Sequence, residues 1–76
     1  MALYYYKSPI GPMYIKYDQS KGNYLLIING IDYGHYQSPD AAADDVFCHS
    51  TGCFEWDKLD GSMIDVPTSI AEWDKA

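Results

Sequence analysis

Apolar residues along the chain follow two different periods. From Met13 to Asp18 every second position is large and apolar (Met13, Ile15, Tyr17), and the positions between carry Tyr14, Lys16 and Asp18. That alternation is the mark of a strand with unequal faces. After a polar loop, Asn23 to Ile28 is β-branched and aromatic and too short for a stable helix, which predicts a second strand. Asn29 and Gly30 tolerate positive φ at both central positions of a type I′ turn, so a hairpin leads into a third strand.

A two-residue turn sets the register. Ile28 is expected opposite Ile31, Leu26 opposite Tyr33 and Tyr24 opposite His35, with Tyr17 opposite Tyr24 on the other side. One face then carries Met13, Ile15, Tyr17, Tyr24, Leu26, Ile28, Ile31, Tyr33 and His35. The other carries Tyr14, Lys16, Leu25, Ile27, Asp32, Gly34 and Tyr36.

The period lengthens after Tyr36. Ser38 followed by Pro39 starts a helix, because the hydroxyl can cap an orphan amide and proline's missing N–H costs nothing at the first helical position. Asp40 complements the helix dipole. Ala42, Ala43, Val46, Phe47 and Ser50 fall on one stripe, with Asp44, Asp45 and Cys48 opposite. Thr51 and Gly52 are expected to end the helix. Beyond them Phe54, Trp56, Leu59, Met63, Ile64, Val66, Ile70 and Trp73 are too many large apolar groups for a loose tail. Between Trp56 and Pro67 the pattern is irregular, with a short strand allowed around Met63 to Val66. Ser69 and Glu72 resemble a capping box, which predicts a helical turn from Ile70 to about Lys75. The expected fold is α+β: a three-stranded antiparallel meander packed by one α-helix, then an irregular C-terminal segment and a short terminal helical turn.

Seventy-six residues allow one domain, spanning 1–76. Hydrophobic residues at 47% and eight tyrosines place the chain among globular sequences. A formal charge of -6, with no arginine, repels phosphate backbones and anionic membranes, so nucleic acid is a disfavoured partner. The longest apolar run is too short to span a bilayer and no leader pattern is present, which predicts a cytoplasmic protein.

Candidate chemistry is sparse. Cys48, His49 and Cys53 are the soft ligands close in sequence, and His35 could complete a set of four, but the spacing matches no common zinc pattern. Cys48 falls in the last helical turn one turn after Asp44, where dipole and carboxylate both oppose a thiolate, so it is no nucleophile. Asp44 and Asp45 diverge on the helix, and no glycine-rich phosphate loop is present. No catalytic residue, cofactor or metal is expected.

Three resemblances attach to particular residues. Tyr4 to Asp18 resembles the opening of the N-terminal domain of O6-alkylguanine-DNA methyltransferases, but Phe47, Cys48, His49 and Ser50 stand where that family has Pro-Cys-His-Arg, so alkyl transfer is not implied. Three strands followed by a helix, through Tyr33 to Val46, is similar to AP2-type and integrase arm-type DNA-binding modules. Those use a basic sheet face, which this chain lacks. Ser38-Pro39 with Ala41 to Val46, Thr51-Gly52-Cys53 with Trp56 and Asp57, and Val66-Pro67 with Glu72 and Trp73 resemble a family of small uncharacterised bacterial proteins, a likeness that implies a free-standing domain and no activity.

One helix covers one sheet face. The more apolar face, that of Ile15, Leu26, Ile28 and Tyr33, is expected beneath it. Tyr14, Leu25, Ile27 and Tyr36 are left for the C-terminal segment with Trp56 and Trp73, for a second copy, or for a different partner. The expected function is therefore a small non-enzymatic protein-interaction module acting through Tyr14, Leu25, Ile27 and Tyr36, with a protein partner or a homodimer. The alternative is nucleic-acid or nucleotide binding, with Tyr14 and Tyr36 as stacking platforms and Lys16 on a phosphate.

Overall fold

The computed structural model describes residues 3–59, 61 and 66–75. The fold is α+β, with an antiparallel sheet and one main helix. The strands are β1 (Leu3–Ser8), β2 (Gly11–Asp18), β3 (Asn23–Ile28), β4 (Ile31–Tyr36) and the two-residue β5 (Asp74–Lys75). Helix α1 covers Pro39–Phe47, α2 is the single turn Phe54–Asp57, and Ile70–Glu72 form a 3-10 turn. The sheet has five strands in the order β4-β3-β2-β1-β5, not the three expected. Leu3 to Ser8 escaped the periodicity because Tyr4, Tyr5 and Tyr6 give no contrast between faces. The strand is made by its hairpin, in which Ser8 pairs with Gly11 across Pro9 and Ile10. Gly11, at φ 131, holds a backbone conformation that strains any other residue, and a Cβ there would push aside the Asn29 side chain. Asn29 also donates from Nδ2 to the Ile10 carbonyl at 2.6 Å, which buttons the β1–β2 turn to the β3–β4 turn.

The β2–β3 register is the expected one, with Tyr17 opposite Tyr24 and Met13 opposite Ile28. Asn29 (φ 55) and Gly30 (φ 79) both take positive φ, and Ile28 faces Ile31. The register then slips. Ile27 faces Asp32 but Leu26 faces Gly34, so Tyr33 is the extra residue of a β-bulge. Asp32 Oδ1 accepts from the Gly34 amide at 2.8 Å, and Gly34 has φ 138. The expected pairs of Leu26 with Tyr33 and Tyr24 with His35 are therefore replaced by Leu26 with Gly34 and Tyr24 with Tyr36. One extra residue reverses the parity of everything after it: His35 moves to the outer face beside Leu25, and Tyr36 moves to the inner face.

Helix α1 begins as its sequence requires, with Ser38 Oγ accepting from the Ala41 amide at 3.1 Å and Pro39 in the first turn. It packs on the inner face through Ala42, Ala43 and Val46, all fully buried over Met13, Ile15, Leu26 and Ile28. Small side chains allow close approach, and the buried stripe is narrower than expected: Phe47 is 43% exposed and Ser50 is exposed. The stop is also earlier. The His49 amide donates to Val46 O (3.1 Å) and the Ser50 amide to Asp45 O (2.9 Å), and His49, at φ 55, holds the left-handed position expected of glycine.

Thr51 to Asp57 forms a clasp. The Asp57 carboxylate accepts from Thr51 N (3.0 Å), Thr51 Oγ1 (2.9 Å) and Gly52 N (2.9 Å). This turns α2 so that Trp56 is fully buried, its Nε1 donating to Val46 O at 2.9 Å, its ring stacked on His49 at 4.5 Å. Further on, Thr68 rather than Ser69 engages Glu72, with Oγ1 donating to Oε2 at 2.6 Å. Trp73 leaves the 3-10 turn in extended conformation, so the turn stops short of Lys75. It packs on Tyr6 at 5.6 Å between ring centres, and Asp74 and Lys75 pair with Tyr5 and Tyr4. The strand expected around Met63 to Val66 falls mainly outside the described residues.

Candidate interaction face

Both tryptophans join the core on the side of α1. The outer face receives neither. Strand pairing places Tyr5, Tyr14, Ile27 and Asp32 in one cross-strand row and Leu3, Lys16, Leu25 and His35 in the next. Leu3, Tyr5, Tyr14, Leu25 and Ile27 all stay partly exposed, and none of them packs against the buried cluster. Among the described residues, no helix lies over this face. Three of the four expected site residues, Tyr14, Leu25 and Ile27, are thus brought together there.

Tyr36 is not. The bulge turns it to the inner side, where its hydroxyl donates to Asp45 Oδ2 of α1 at 2.9 Å. Burial, with the hydrogen bond and charge of Asp45, pushes that hydroxyl up to about 12. Leu3 and Tyr5 take its place on the outer face. Alternation in Leu3-Tyr4-Tyr5-Tyr6 could have indicated them only once Gly11 was read as closing a hairpin.

Charge is divided between the two sides. Around the apolar rows stand Lys7, Lys16, His35, Asp18, Asp32 and, opposite Tyr5 on β5, Asp74, and His35 Nε2 lies 3.2 Å from Asp18 Oδ2. Partial burial raises the Asp18 carboxyl, but hydrogen bonds from His35 and Ser20 outweigh it and hold the group below its ordinary value. The helix side carries Asp40, Asp44, Asp45, Glu55, Asp57 and Glu72. The outer face is the less acidic one.

The sheet edges offer little. β4 is interrupted by its bulge, and the open side of β1 is occupied at Tyr4 and Tyr5 by β5.

The remaining sequence candidates are dispersed. Cys48 is exposed at the end of α1, Cys53 is buried, and both are free thiols. Cys53 makes a side-chain hydrogen bond with Tyr33, and its Sγ lies 3.7 Å from Glu55 Oε2. That hydrogen bond, with burial and nearby negative charge, raises the Tyr33 hydroxyl. His35 stands with Asp18 on the outer face while His49 stacks in the core. Among the described residues no group of three His, Cys, Asp or Glu side chains is placed to hold a metal ion. No helix among them is long and apolar enough to cross a membrane.

Comparison with protein-family models, with curated proteins and with solved structures finds no match for this chain.

Proposed function

We propose that this protein is a small non-enzymatic interaction module whose outer sheet face packs on the same face of a second copy. The observation that carries the reading is the double row of Leu3, Tyr5, Tyr14, Leu25 and Ile27, which no helix among the described residues covers and which polar groups rim. A second copy suits its charges. Under a two-fold axis parallel to the strands, Lys7 and Lys16 on the β1–β2 side offset both Asp74 on that side and the partner's Asp32 on the β3–β4 side it faces, while the acidic helix side points away. Four strands spaced about 4.8 Å apart and rising about 3.3 Å per residue give a footprint of roughly 400 Å². That is small for a stable interface, so the dimer is weak.

Light scattering over a wide concentration range tests this. Mass should rise toward twice the monomer with concentration, and Ile27→Asp should keep the chain monomeric with unchanged circular dichroism. A monomer at every concentration overturns the reading, as does an Ile27→Asp variant that dimerises like the parent.

A second reading rests on a different pair of residues from the one expected. Tyr5 and Tyr14 are cross-strand neighbours on the outer face, and Lys7 and Lys16 lie beside them. Stacked aromatics with flanking cations suit single-stranded nucleic acid, although Asp18 and Asp32 share the face. Salt-dependent quenching of tyrosine fluorescence by an oligonucleotide, lost in Tyr14→Ala, would favour it over the dimer.

A further inference from the structure

On the inner side, where the two hairpin turns meet α2, lies a cavity of about 280 Å³. Its apolar wall comes from Ile10, Ile31 and Leu59, and Ile31 is 55% exposed although it pairs with fully buried Ile28. An apolar side chain left open at the mouth of a concave site has contact area to offer a ligand. The polar wall comes from α2 and the bulge. Glu55 and Lys58 stand three residues apart, on one side of a helical turn, and both line the cavity. They do not pair with each other: Asp18–His35 is the only ion pair among the described residues. Tyr33, the extra residue of the bulge, lines the same cavity and meets the buried Cys53 thiol there. Bulges commonly re-aim a side chain beside a site.

We infer that this cavity binds a small aliphatic α-amino acid as its zwitterion, with the ammonium on Glu55, the carboxylate on Lys58 and the branched side chain against Ile10, Ile31 and Leu59. Size and charge both select this class. A volume of about 280 Å³ is at the low end of small-ligand sites, so the space suits a small molecule such as leucine. The Lys58 ammonium lies over the Phe54 ring, 5.6 Å from its centre, and Glu55 Oε2 accepts from the Cys53 thiol, but neither contact supplies an opposite charge, so a simple anion would face Glu55 and a simple cation would face Lys58. A zwitterion satisfies both, and it carries no net charge into a chain of formal charge -6. The site lies across the sheet from the outer face and stands whether or not the chain dimerises.

The test is amide NMR of the full chain titrated with L-leucine, with isocaproate and isoamylamine as analogues that each keep one charge. Leucine should produce saturable shifts at Ile31, Tyr33, Cys53, Glu55 and Lys58, with a dissociation constant of about millimolar, in keeping with so small a ligand. Each analogue should bind about tenfold more weakly or worse, the loss of one charge-assisted contact. Glu55→Gln and Lys58→Met, both at exposed positions, should weaken leucine by a similar factor and leave thermal unfolding unchanged. Absence of saturable shifts up to the solubility limit of leucine overturns the assignment. Equal binding of leucine and either analogue also overturns it, since the cavity would then be an apolar crevice indifferent to the two charges.

Discussion

The two faces of the sheet are made of similar residues and have different fates. Leu25 and Leu26 are adjacent and chemically identical, as are Ile27 and Ile28. Leu26 and Ile28 are fully buried beneath α1 and the two tryptophans, whereas Leu25 and Ile27 remain partly exposed on the outer side. Hydrophobicity alone did not decide this. The described residues supply one covering layer, and Ser38, the paired alanines of α1, the Asp57 clasp and the β5 pairing all direct that layer to the inner face. An apolar side chain that no layer reaches contributes little to folding and is left available for association.

Mutations that treat the faces separately test this contrast. The largest effect is expected from Trp56→Ala, which empties the centre of the inner layer and removes the bond to Val46; urea unfolding should show a loss of about 3–5 kcal/mol. Next comes the adjacent pair: Leu26→Ala should cost about 2–5 kcal/mol, while Leu25→Ala should cost under about 1 kcal/mol. Equal costs would break the comparison, because they would require a layer over the outer face. Asp57→Ala leaves three donors of the clasp without their acceptor, and a loss of about 1–3 kcal/mol is expected in the same assay.

Smaller effects sharpen the contrast through pH. The Tyr36 hydroxyl lies above its ordinary value of 10, at about 12. Its stabilisation is therefore complete below about pH 10 and is lost as pH rises toward 12. Tyr36→Phe should cost about 0.5–1.5 kcal/mol at neutral pH and flatten the decline in that alkaline window, followed by thermal unfolding. The smallest change is expected on the outer face. The lowered Asp18 carboxyl stabilises the fold above its unfolded-state value, and that contribution is lost as pH falls through the folded one. Asp18→Asn should remove this acid slope while barely moving the urea midpoint at neutral pH.

Much of the architecture could be read from local pattern. Strands β2 and β3, the Asn29-Gly30 turn and the Ser38-Pro39 helix start are each encoded within a few residues, and each forms as expected. What escaped depends on partners distant in sequence or on parity. β1 is uniform in tyrosine, and β5 exists only because β1 offers it an edge. The bulge had a local sign in Asp32 followed two residues later by Gly34, a side-chain-to-backbone turn that interrupts regular pairing. Missing it exchanged the faces of His35 and Tyr36 and so put one wrong residue among the four expected on the outer face. Thr51, Gly52 and Asp57 could be seen as a spacing, but their role follows only from the three hydrogen bonds that converge on one carboxylate.

The pairing of β5 with β1 has a bearing on biosynthesis. Strands β1 to β4 join neighbours in sequence and can pair as soon as each hairpin leaves the ribosome. Trp73, Asp74 and Lys75 close the core over Tyr6 and dock on the open side of β1, so a nascent chain shorter than this holds a formed meander with an unprotected first strand. The interval before residue 75 has left the ribosome is thus the window in which the first strand is open to capture by neighbouring chains and in which a chaperone has most to protect.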